Sequence, residues 1–540
     1  MPVSLIFSSI TAENSSSFTS ALSATANVLV IGEKAALSAE NALSLLGLPE
    51  GFAAPIADGE TITAYIGGKA ITVASFAEKQ SRTTGVIRSD SITDVVSKNG
   101  KGDKDLSIVV FLKNQEQALA ASLAIARAYP LYENRKKASA ERNVCVHFLL
   151  AEAPKSITST ITTKITTTKG SSTTESVSTV TSTKTSSSKT VTTAELQTAA
   201  DAVRECAKLV DTPPNELNPI TYVELVQKLH AEKLAAFGVE LTVIQGTELR
   251  DRGFGGIWNV GKASENLPAL IHLSHVPAGA VKTVAWVGKG LTFDTGGLDI
   301  KVGGGMVGMK TDMGGSAGIF QGFVATVLNG INTNFALHAI LCVAENSVDT
   351  RSFRPDDIIT AYSGKTVEVT DTDAEGRLCL MDGVAYASKD LNADVILDMA
   401  TLTGAQASAT GYKHAGLVVN SEEFEAALVA AGRVSGDLCH PMLYCPEFLA
   451  ADKTFPSVVA DMVNYPKSAT NNAGSASAGF FVGAHLVPAD DFKEDGSRWW
   501  AHVDMAFPST VGGRGSGYGV GLLHEISRTL NAKFAAKREE

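Results

Sequence analysis

The sequence lacks the long apolar segments of a membrane protein. No apolar run in its 540 residues approaches the roughly 18–20 residues that a membrane-spanning helix needs. The first residues, MPVSLIFSSITAENSSSF, contain no basic segment, and their apolar run is too short for the core of a signal peptide. A cytoplasmic protein that does not act at a membrane is therefore expected.

Cysteine is scarce, and no two cysteines form a Cys-x-x-Cys pair. Most lie inside apolar runs such as NVCVHFLL and HAILCVAEN, where a buried free thiol is the expected state. This usage favours a reducing compartment. The 6 cysteines are Cys145, Cys206, Cys342, Cys379, Cys439 and Cys445.

Positive charge is also in short supply. Lys and Arg number 46 against 57 Asp and Glu, which gives a formal net charge of −11. Nucleic acids and anionic membranes attract proteins that present a broad basic face, and this balance disfavours one. Small molecules or other proteins are therefore the expected partners.

The chain is long enough for more than one domain, since a single hydrophobic core stops growing at roughly 250–300 residues. Within residues 1–155, short β-type runs such as NVLVIG and SIVVFL alternate with helical patterns such as NQEQALAASLAIARAYPLY. This alternation is typical of an α/β structure and predicts an N-terminal α/β domain.

Residues 156–193 form a tract of Ser, Thr and Lys with sparse Ile and Val. This composition cannot bury enough apolar area to form a core, so the tract is predicted to be an insertion or a linker. A disordered tether is one interpretation. Because β-branched residues are frequent and KGSS interrupts the tract at Lys169, a long two-stranded arm that rests on a partner surface is the other.

Residues 194–540 repeat the alternation on a larger scale after a first helical segment. Runs such as TVAWVGKG, NFALHAILCVAEN and ADVILDMATLTG alternate with helical patterns such as GGSAGIFQGFVATVLNG. They predict a second α/β domain with a mixed, largely parallel sheet covered by helices on both faces. Sites in such sheets lie at the carboxyl ends of strands, where the polar clusters of this chain are also found.

The first cluster is VGKGLTFDTGGLDIKVGGGMVGMKTDMGG. The strand TVAWV is predicted to deliver Lys289 at its end, and the Gly-rich turns that follow present Asp294, Lys301 and Asp312. A phosphate-binding loop is excluded here, because Met309 occupies the position where the motif requires lysine.

The second cluster is VEVTDTDAEGRLCL. In extended backbone, alternate side chains share one face, so Asp371, Asp373, Glu375 and Arg377 are predicted to point the same way. Carboxylates crowded on one face repel one another and resist ionisation unless a positive charge lies nearby. A divalent cation would supply that charge.

The ligand types leave the identity of the cation open. The chain contains no His-Glu-x-x-His motif, and a set of carboxylates and lysines suits Mg, Mn, Co and Zn alike. Each acid taken alone could also be a solvated loop residue, but two such clusters in one chain favour a metal site.

These segments resemble the leucyl aminopeptidase family, the two-metal cytosolic type of family M17. TDAEGRL is similar to the signature of that family, and GKGLTFDTGG, Lys301 and KTDMGG match its other metal segment in order and spacing. DMATLTGA, VDTPPNELNP and WWAHVDMA also resemble family segments, so the likeness covers the chain from about residue 200 onward. Asp371 departs from the family, which usually has Asn there.

The resemblance implies roles for individual residues. Asp294 and Glu375 would bridge two metal ions, Lys289 and Asp312 would complete the tighter site, and Asp373 would complete the more exchangeable one. A lysine can bind a metal only as the neutral amine, and two adjacent cations together with burial supply the required lowering of its pKa. The family role of the position of Asp371 is structural, so it is not expected to be a ligand.

The resemblance also implies a mechanism. A water molecule bridging two metals would hydrolyse the N-terminal peptide bond of a substrate with a free amino group. Lys301 would stabilise the oxyanion, and Arg377 would hold a bicarbonate ion that acts as general base. Met309, Thr401, Leu402 and Gly404 resemble the residues that line the side-chain pocket of the family, which would favour Leu and similar apolar residues. The family assembles as a homohexamer.

Two other classes of function fit these residues less well than an aminopeptidase. Some relatives bind DNA, so a scaffold or DNA-binding member with weak activity is the alternative, which the acidic composition and the complete ligand set disfavour. A two-metal phosphoesterase would need a phosphate clamp, and few basic residues lie near the cluster beyond those already assigned. A metal-dependent leucyl aminopeptidase, a metalloexopeptidase, is therefore predicted.

Overall fold

A computed structural model describes residues 3–12, 25, 27–37, 59–135, 141–151, 159–169, 172–182, 191–449, 451–466, 473–494 and 496–539. The strands are β1 (Ser4–Ala12), β2 (Asn27–Glu33), β3 (Thr61–Ile66), β4 (Lys69–Phe76), β5 (Leu106–Leu112), β6 (Asn143–Leu150), β7 (Ser159–Lys169), β8 (Ser172–Ser182), β9 (Glu240–Gln245), β10 (Ala269–His275), β11 (Lys282–Asp294), β12 (Phe335–Asn346), β13 (Ile358–Thr360), β14 (Thr366–Glu368), β15 (Val395–Ala400), β16 (Ala415–Val419), β17 (Cys439–Pro441), β18 (Met462–Val463), β19 (Trp499–Asp504), β20 (Thr510–Val511) and β21 (Arg514–Gly515).

Helices alternate with these strands through most of the chain. The α-helices are α1 (Lys34–Leu37), α2 (Ser89–Asn99), α3 (Ala118–Arg127), α4 (Thr193–Asp211), α5 (Pro219–Leu229), α6 (Thr247–Asp251), α7 (Gly255–Gly261), α8 (Gly314–Leu328), α9 (Gly376–Lys389), α10 (Ala405–Thr410), α11 (Glu422–Ser435), α12 (Pro446–Leu449), α13 (Ala451–Thr454), α14 (Gly474–Gly483) and α15 (Val520–Glu539).

The N-terminal region folds around a six-stranded sheet in the order β1-β6-β5-β2-β4-β3. Every neighbouring pair is parallel except β3 and β4, which form an antiparallel hairpin. The central strand β5, LSIVVFL, is buried at every position, as expected for a strand covered on both faces. The α/β character predicted for this region is confirmed.

Residues 159–169 and 172–182 of the Ser/Thr/Lys tract form a two-stranded antiparallel arm. Strands β7 and β8 pair from Ser159 with Ser182 to Lys169 with Ser172. Among the described residues, these two strands pair only with each other. These strands agree with the β-branched composition, while the assignment of residues 156–193 as an insertion or a linker remains a prediction.

The C-terminal region contains an eight-stranded mixed sheet in the order β17-β16-β19-β15-β11-β12-β10-β9. Its four central strands, β19, β15, β11 and β12, are parallel to one another. The antiparallel pairs lie towards the two edges, where β16 pairs with β19 and β10 pairs with β12. The mixed, largely parallel sheet predicted from the sequence is confirmed, while the predicted domain boundaries remain a prediction.

Helix α8 packs very closely on the centre of this sheet. All of its residues from Gly314 to Val327 are buried, which explains the glycines and alanines of GGSAGIFQGFVATVL. A Cβ atom added to Gly315 would lie 2.1 Å from the carbonyl oxygen of Met399, and one added to Gly288 would lie 2.5 Å from the Cα atom of Ser316. Small residues therefore allow the N-terminus of α8 to approach the middle of β11 and the end of β15.

The helices of the described residues give no candidate for a membrane span, since none combines the length and the apolar character that crossing would require.

Candidate metal centre

Strand β11 carries two of the predicted site residues. It extends to Asp294, so Lys289 lies within the strand and Asp294 ends it, whereas the sequence predicted a shorter strand. The strand continues because the apolar residues after Lys289 keep pairing with β12. A register shift between Leu291 and Asp294 adds one residue to β11, which turns Asp294 to the same face of the sheet as Lys289.

Asp312 approaches the same face from a neighbouring segment. It follows a 3-10 turn at Met309–Thr311 and precedes α8. Its Oδ1 atom accepts a hydrogen bond of 2.9 Å from the hydroxyl of Thr401, which follows β15. The carboxylate is therefore held between the strand ends and the start of α8.

The prediction that Asp371, Asp373, Glu375 and Arg377 share one face of an extended segment is wrong. Strand β14 ends at Glu368, a turn follows, and α9 begins at Gly376, immediately after Glu375. The apolar residues of RLCLMDGVAYASK recur at helical spacing, and helix formation overrides the alternation of the acids. Each acid consequently faces a different environment.

The side chain of Asn464 holds this turn in place. Its Oδ1 atom accepts from the backbone N–H groups of Thr370 at 2.8 Å and Asp371 at 3.3 Å. Its Nδ2 atom donates to the backbone oxygens of Asp371 at 2.6 Å and Ala374 at 3.3 Å. The carboxylate of Asp371 accepts from the N–H of Asp373 at 2.8 Å and so supports the turn.

Three carboxylates meet where these segments converge. Oxygen atoms of Asp294, Asp312 and Glu375 lie within 4.8 Å of one another, and all three residues are buried. The Nζ atom of Lys289 lies 2.9 Å from Asp312 and 3.1 Å from Glu375. A Cβ atom on Gly376 would lie 2.5 Å from Nζ, so the glycine of the EGR segment leaves space for this lysine.

Lys301 joins the remaining acid to this cluster. Its Nζ atom lies 2.8 Å from Asp294 Oδ2 and 2.5 Å from Asp373 Oδ1. The side chain of Asp373 is 36% exposed, so this acid forms the solvent-facing margin of the cluster. Lys301 thus lies between the buried carboxylates and the surface.

The electrostatics of the cluster favour additional positive charge. Burial raises the pKa of Asp312 to about 7 and that of Glu375 to about 8, and the neighbouring carboxylates add to both shifts. Burial alone would lower the pKa of Lys289, but the surrounding carboxylates outweigh it and raise that pKa. The Oε2 atom of Glu375 is buried and accepts no hydrogen bond from the described residues. This donor set fits divalent cations, which prefer carboxylate oxygens.

Arg377 occupies the first turn of α9 and is buried. Its Nη1 atom donates to the backbone oxygen of Asn464 at 3.0 Å, and its guanidinium lies over the rings of Tyr465 and Phe481 at 5.5 Å and 5.9 Å. Burial lowers the pKa of Arg377 to about 10. Its Nε atom has no hydrogen-bond partner among the described residues, which leaves a buried donor available for an anion.

The residues predicted to line a substrate pocket lie on the two turns next to the cluster. Met309 is on the 3-10 turn before Asp312, whereas Leu402 and the exposed Gly404 follow β15. Thr401 is buried, and its backbone oxygen accepts from Lys289 at 3.2 Å, so Thr401 contacts the cluster itself.

Two residues that support the site were missed in the sequence. Asn346 ends β12 and donates to Asp294, and Asp504 ends β19 and accepts from the hydroxyl of Thr403 and the N–H of Leu402. Both end buried strands whose polar last residues were visible in VAEN and WWAHVDMA. The rule that sites lie at the carboxyl ends of strands could have identified them.

A doubly covered α/β sheet with buried carboxylates and lysines at its strand ends is typical of metal-dependent hydrolases. A family model described as the cytosol aminopeptidase family, catalytic domain, matches residues 204–524, and one described as M17 aminopeptidase N-terminal domain 2 matches residues 54–139. The chain belongs to this M17 family of cytosol aminopeptidases, and the resemblance found in its sequence is confirmed.

Individual relatives agree with this membership. The human protein named probable aminopeptidase NPEPL1 is 44% identical over 421 residues, which cover 77% of this chain and 71% of the relative. Leucine aminopeptidase 1 of Caenorhabditis elegans is 45% identical over 331 residues, which cover 61% of this chain and 65% of the relative. The structure of leucyl aminopeptidase from Trypanosoma brucei in complex with bestatin superposes with a TM-score of 0.83 at 32% identity and covers 98% of this chain and 96% of that chain.

Proposed function

We propose that this chain is a metal-dependent aminopeptidase that removes N-terminal Leu and similar apolar residues from peptides. The observation that carries the proposal is the buried triad of Asp294, Asp312 and Glu375 with Lys289 between two of its members. The triad lies inside the segment that matches the catalytic domain of an aminopeptidase family. Relatives named leucine aminopeptidases support the preference for Leu.

The proposed ligands are Lys289, Asp294, Asp312, Asp373 and Glu375. Two divalent cations held there would acidify a water molecule, polarise the scissile carbonyl and bind the free amino group of the peptide. Zn, Mn, Co and Mg all suit the oxygen-rich donor set. Before cations bind, Lys289 supplies the positive charge that keeps the buried acids together.

Lys301 is proposed to stabilise the transition state. Its ammonium group lies at the margin of the cluster and is 16% exposed, so it can reach a substrate that enters from solvent. A positive donor fixed at that place would bind the negative charge that develops on the carbonyl oxygen.

Arg377 is proposed to hold bicarbonate, which would contribute a general base when bound. The unpartnered Nε atom supports this assignment, because a buried guanidinium N–H without an acceptor is unfavourable. A planar anion can accept two parallel hydrogen bonds from a guanidinium. Phe481 and Tyr465 pack on the side chain and limit its movement.

The substrate side chain is proposed to contact Met309, Thr401, Leu402 and Gly404. Met309 and Leu402 are partly exposed apolar residues on turns that adjoin the cluster, which is consistent with a pocket for an apolar side chain. A cytoplasmic location and a homohexameric assembly are proposed on the resemblance to the family. Light scattering of the purified protein would test the assembly.

The experiment that tests the proposal measures release of a chromogenic amine from Leu and other aminoacyl substrates. The protein is treated with a chelator, assayed, and assayed again after addition of Zn, Mn, Co or Mg. Activity should disappear with the metals, return with at least one of them and be highest on Leu. A peptide acetylated at its N-terminus should not be cleaved, and full activity in the chelated protein would refute the proposal.

A further inference from the structure

We propose that Asn346 is a positioning residue of the metal centre, which joins two of the chain segments that carry its carboxylates. The inference rests on the proposed metal site and adds to it a residue that does not itself bind the metal. One segment is the end of β11, which contains Asp294, and the other is the turn from Thr372 to Glu375. Asn346 is fully buried and contacts both.

The side-chain amide makes one hydrogen bond to each segment. Its Nδ2 atom donates to Asp294 Oδ1 at 2.9 Å and to the backbone oxygen of Thr372 at 3.1 Å. An amide nitrogen carries two hydrogens, so a single asparagine can serve both acceptors. An aspartate in this place would add a negative charge beside Asp294 and would lack these donors when ionised.

The backbone of Asn346 secures the same region. Its carbonyl oxygen accepts from the N–H of Thr295 at 3.1 Å and from the hydroxyl of Thr295 at 2.7 Å. Asn346 and Asp294 are also register partners at the ends of β12 and β11. The amide is therefore presented from a rigid sheet, which suits a residue that fixes the position of a ligand.

The hydrogen bonds determine which oxygen of Asp294 faces the cluster. The Oδ1 atom accepts from Asn346 and from the N–H of Gly296 at 2.9 Å. The Oδ2 atom faces Lys301 at 2.8 Å, on the side of the cluster. Asn346 thus orients the carboxylate so that Oδ2 faces the cluster that would hold the cations, while its second bond holds the turn that ends in Glu375.

The experiment compares Asn346→Leu and Asn346→Asp with the same two changes at Asn420. Asn420 is a matched control, because it is also buried and its amide also joins backbone segments. It donates to Phe492 and Arg498 at 3.1 Å and 3.0 Å and accepts from Trp500 at 2.7 Å. These contacts lie on β19 and the chain before it, so this position tests the general effect of losing a buried asparagine.

Two measurements are made on each full-length protein. Elemental analysis gives the metal content per chain as a function of metal concentration, and amide hydrogen exchange of the chelated protein follows residues 294–300 and 371–376. The Asn346 variants should need about 10–100-fold more metal for the same occupancy, the range found when support of a ligand is removed. Exchange of residues 371–376 should become faster in these variants and remain unchanged in the Asn420 variants.

Unchanged metal occupancy together with unchanged exchange in the Asn346 variants would overturn the inference. Equal losses in the Asn420 variants would also overturn it, since the effect would then be a general loss of stability. If the parent protein binds no metal, the proposed function fails separately. The exchange of residues 371–376 in the chelated protein still decides whether Asn346 joins the two segments.

Discussion

The Nζ atom of Lys289 lies 3.1 Å from the Oε1 atom of Glu375, and the two side chains are only 4% and 2% exposed. An ammonium group and a carboxylate so fully removed from water are stable only as partners, because each alone would carry a large desolvation cost. Lys289 therefore belongs to the buried part of the cluster, whereas Lys301 lies at its margin. This difference separates the effects expected for the two lysines.

Replacing Lys289 with Ala should weaken metal binding. The change removes a proposed ligand and leaves Asp312 and Glu375 without their buried counter-charge. Metal content per chain should fall, and part of the activity should return at high metal concentration. Elemental analysis beside kcat measures both effects, and full metal content in this variant would contradict the assignment of Lys289 as a ligand.

Replacing Lys301 with Ala should leave metal content unchanged and lower kcat. Removal of one preorganised donor to an oxyanion typically reduces kcat by about 10²–10³. The buried carboxylates and Lys289 are unchanged in this variant, so its metal sites should already be filled. Excess metal should therefore not restore the activity. The same elemental analysis provides the check, and loss of metal from this variant would show that Lys301 is part of the metal-binding set.

The arm of β7 and β8 should be dispensable for hydrolysis of a Leu substrate. None of the proposed site residues lies in it, and its strands pair only with each other among the described residues. The deletion should stop before Val191, because Gln115 donates to the backbone oxygen of Val191 at 2.9 Å and Thr192 caps α4. Residues 156–190 are therefore replaced by a short flexible linker.

The measurement for this deletion is kcat/KM on a Leu substrate together with the assembly state by light scattering. We expect kcat/KM within about threefold of the parent value, since the change leaves the cluster intact. A folded variant of unchanged assembly that has lost its activity would show that the arm contributes to the site.

The residues that the structure brings together in the cluster could be identified in the sequence, because carboxylates and lysines are concentrated in two short segments. The conformation of the second segment, VEVTDTDAEGRLCL, could not be predicted. Its acids alternate as they would on a strand, but the turn depends on Asn464, which is far away in the chain and binds four backbone groups. A side chain that satisfies a distant backbone leaves no local pattern in the sequence.

The supporting residue Asn346 and the first strand illustrate two other limits of prediction from the sequence. Asn346 acts through a bond to Asp294 that exists only because β11 and β12 are neighbours in the sheet. Strand β1, SLIFSSITA, was missed because serines interrupt its apolar residues and weaken the strand pattern. It pairs with β6, which follows it by more than a hundred positions, so its partner was not evident from the local sequence.

His485 should contribute a loss of stability as the pH falls below neutrality. Its ring is fully buried, its Nδ1 atom lies 2.8 Å from the hydroxyl of Ser363, and burial together with the charge of Lys365 lowers its pKa from 6.5 to about 3. Between these two pKa values the unfolded chain binds a proton that the folded chain does not, so the folded state loses up to about 1.4 kcal/mol for each pH unit. The buried acids Asp312 and Glu375 act in the opposite direction, because their raised pKa values favour proton binding by the folded chain.

The test is therefore the difference between two chelated proteins: from pH 7 to pH 4 the urea midpoint of the parent should fall relative to that of His485→Gln. His440, an exposed histidine, provides the control substitution His440→Gln, which should keep the parent slope. Equal slopes in all three proteins would show that His485 does not contribute to the acid sensitivity.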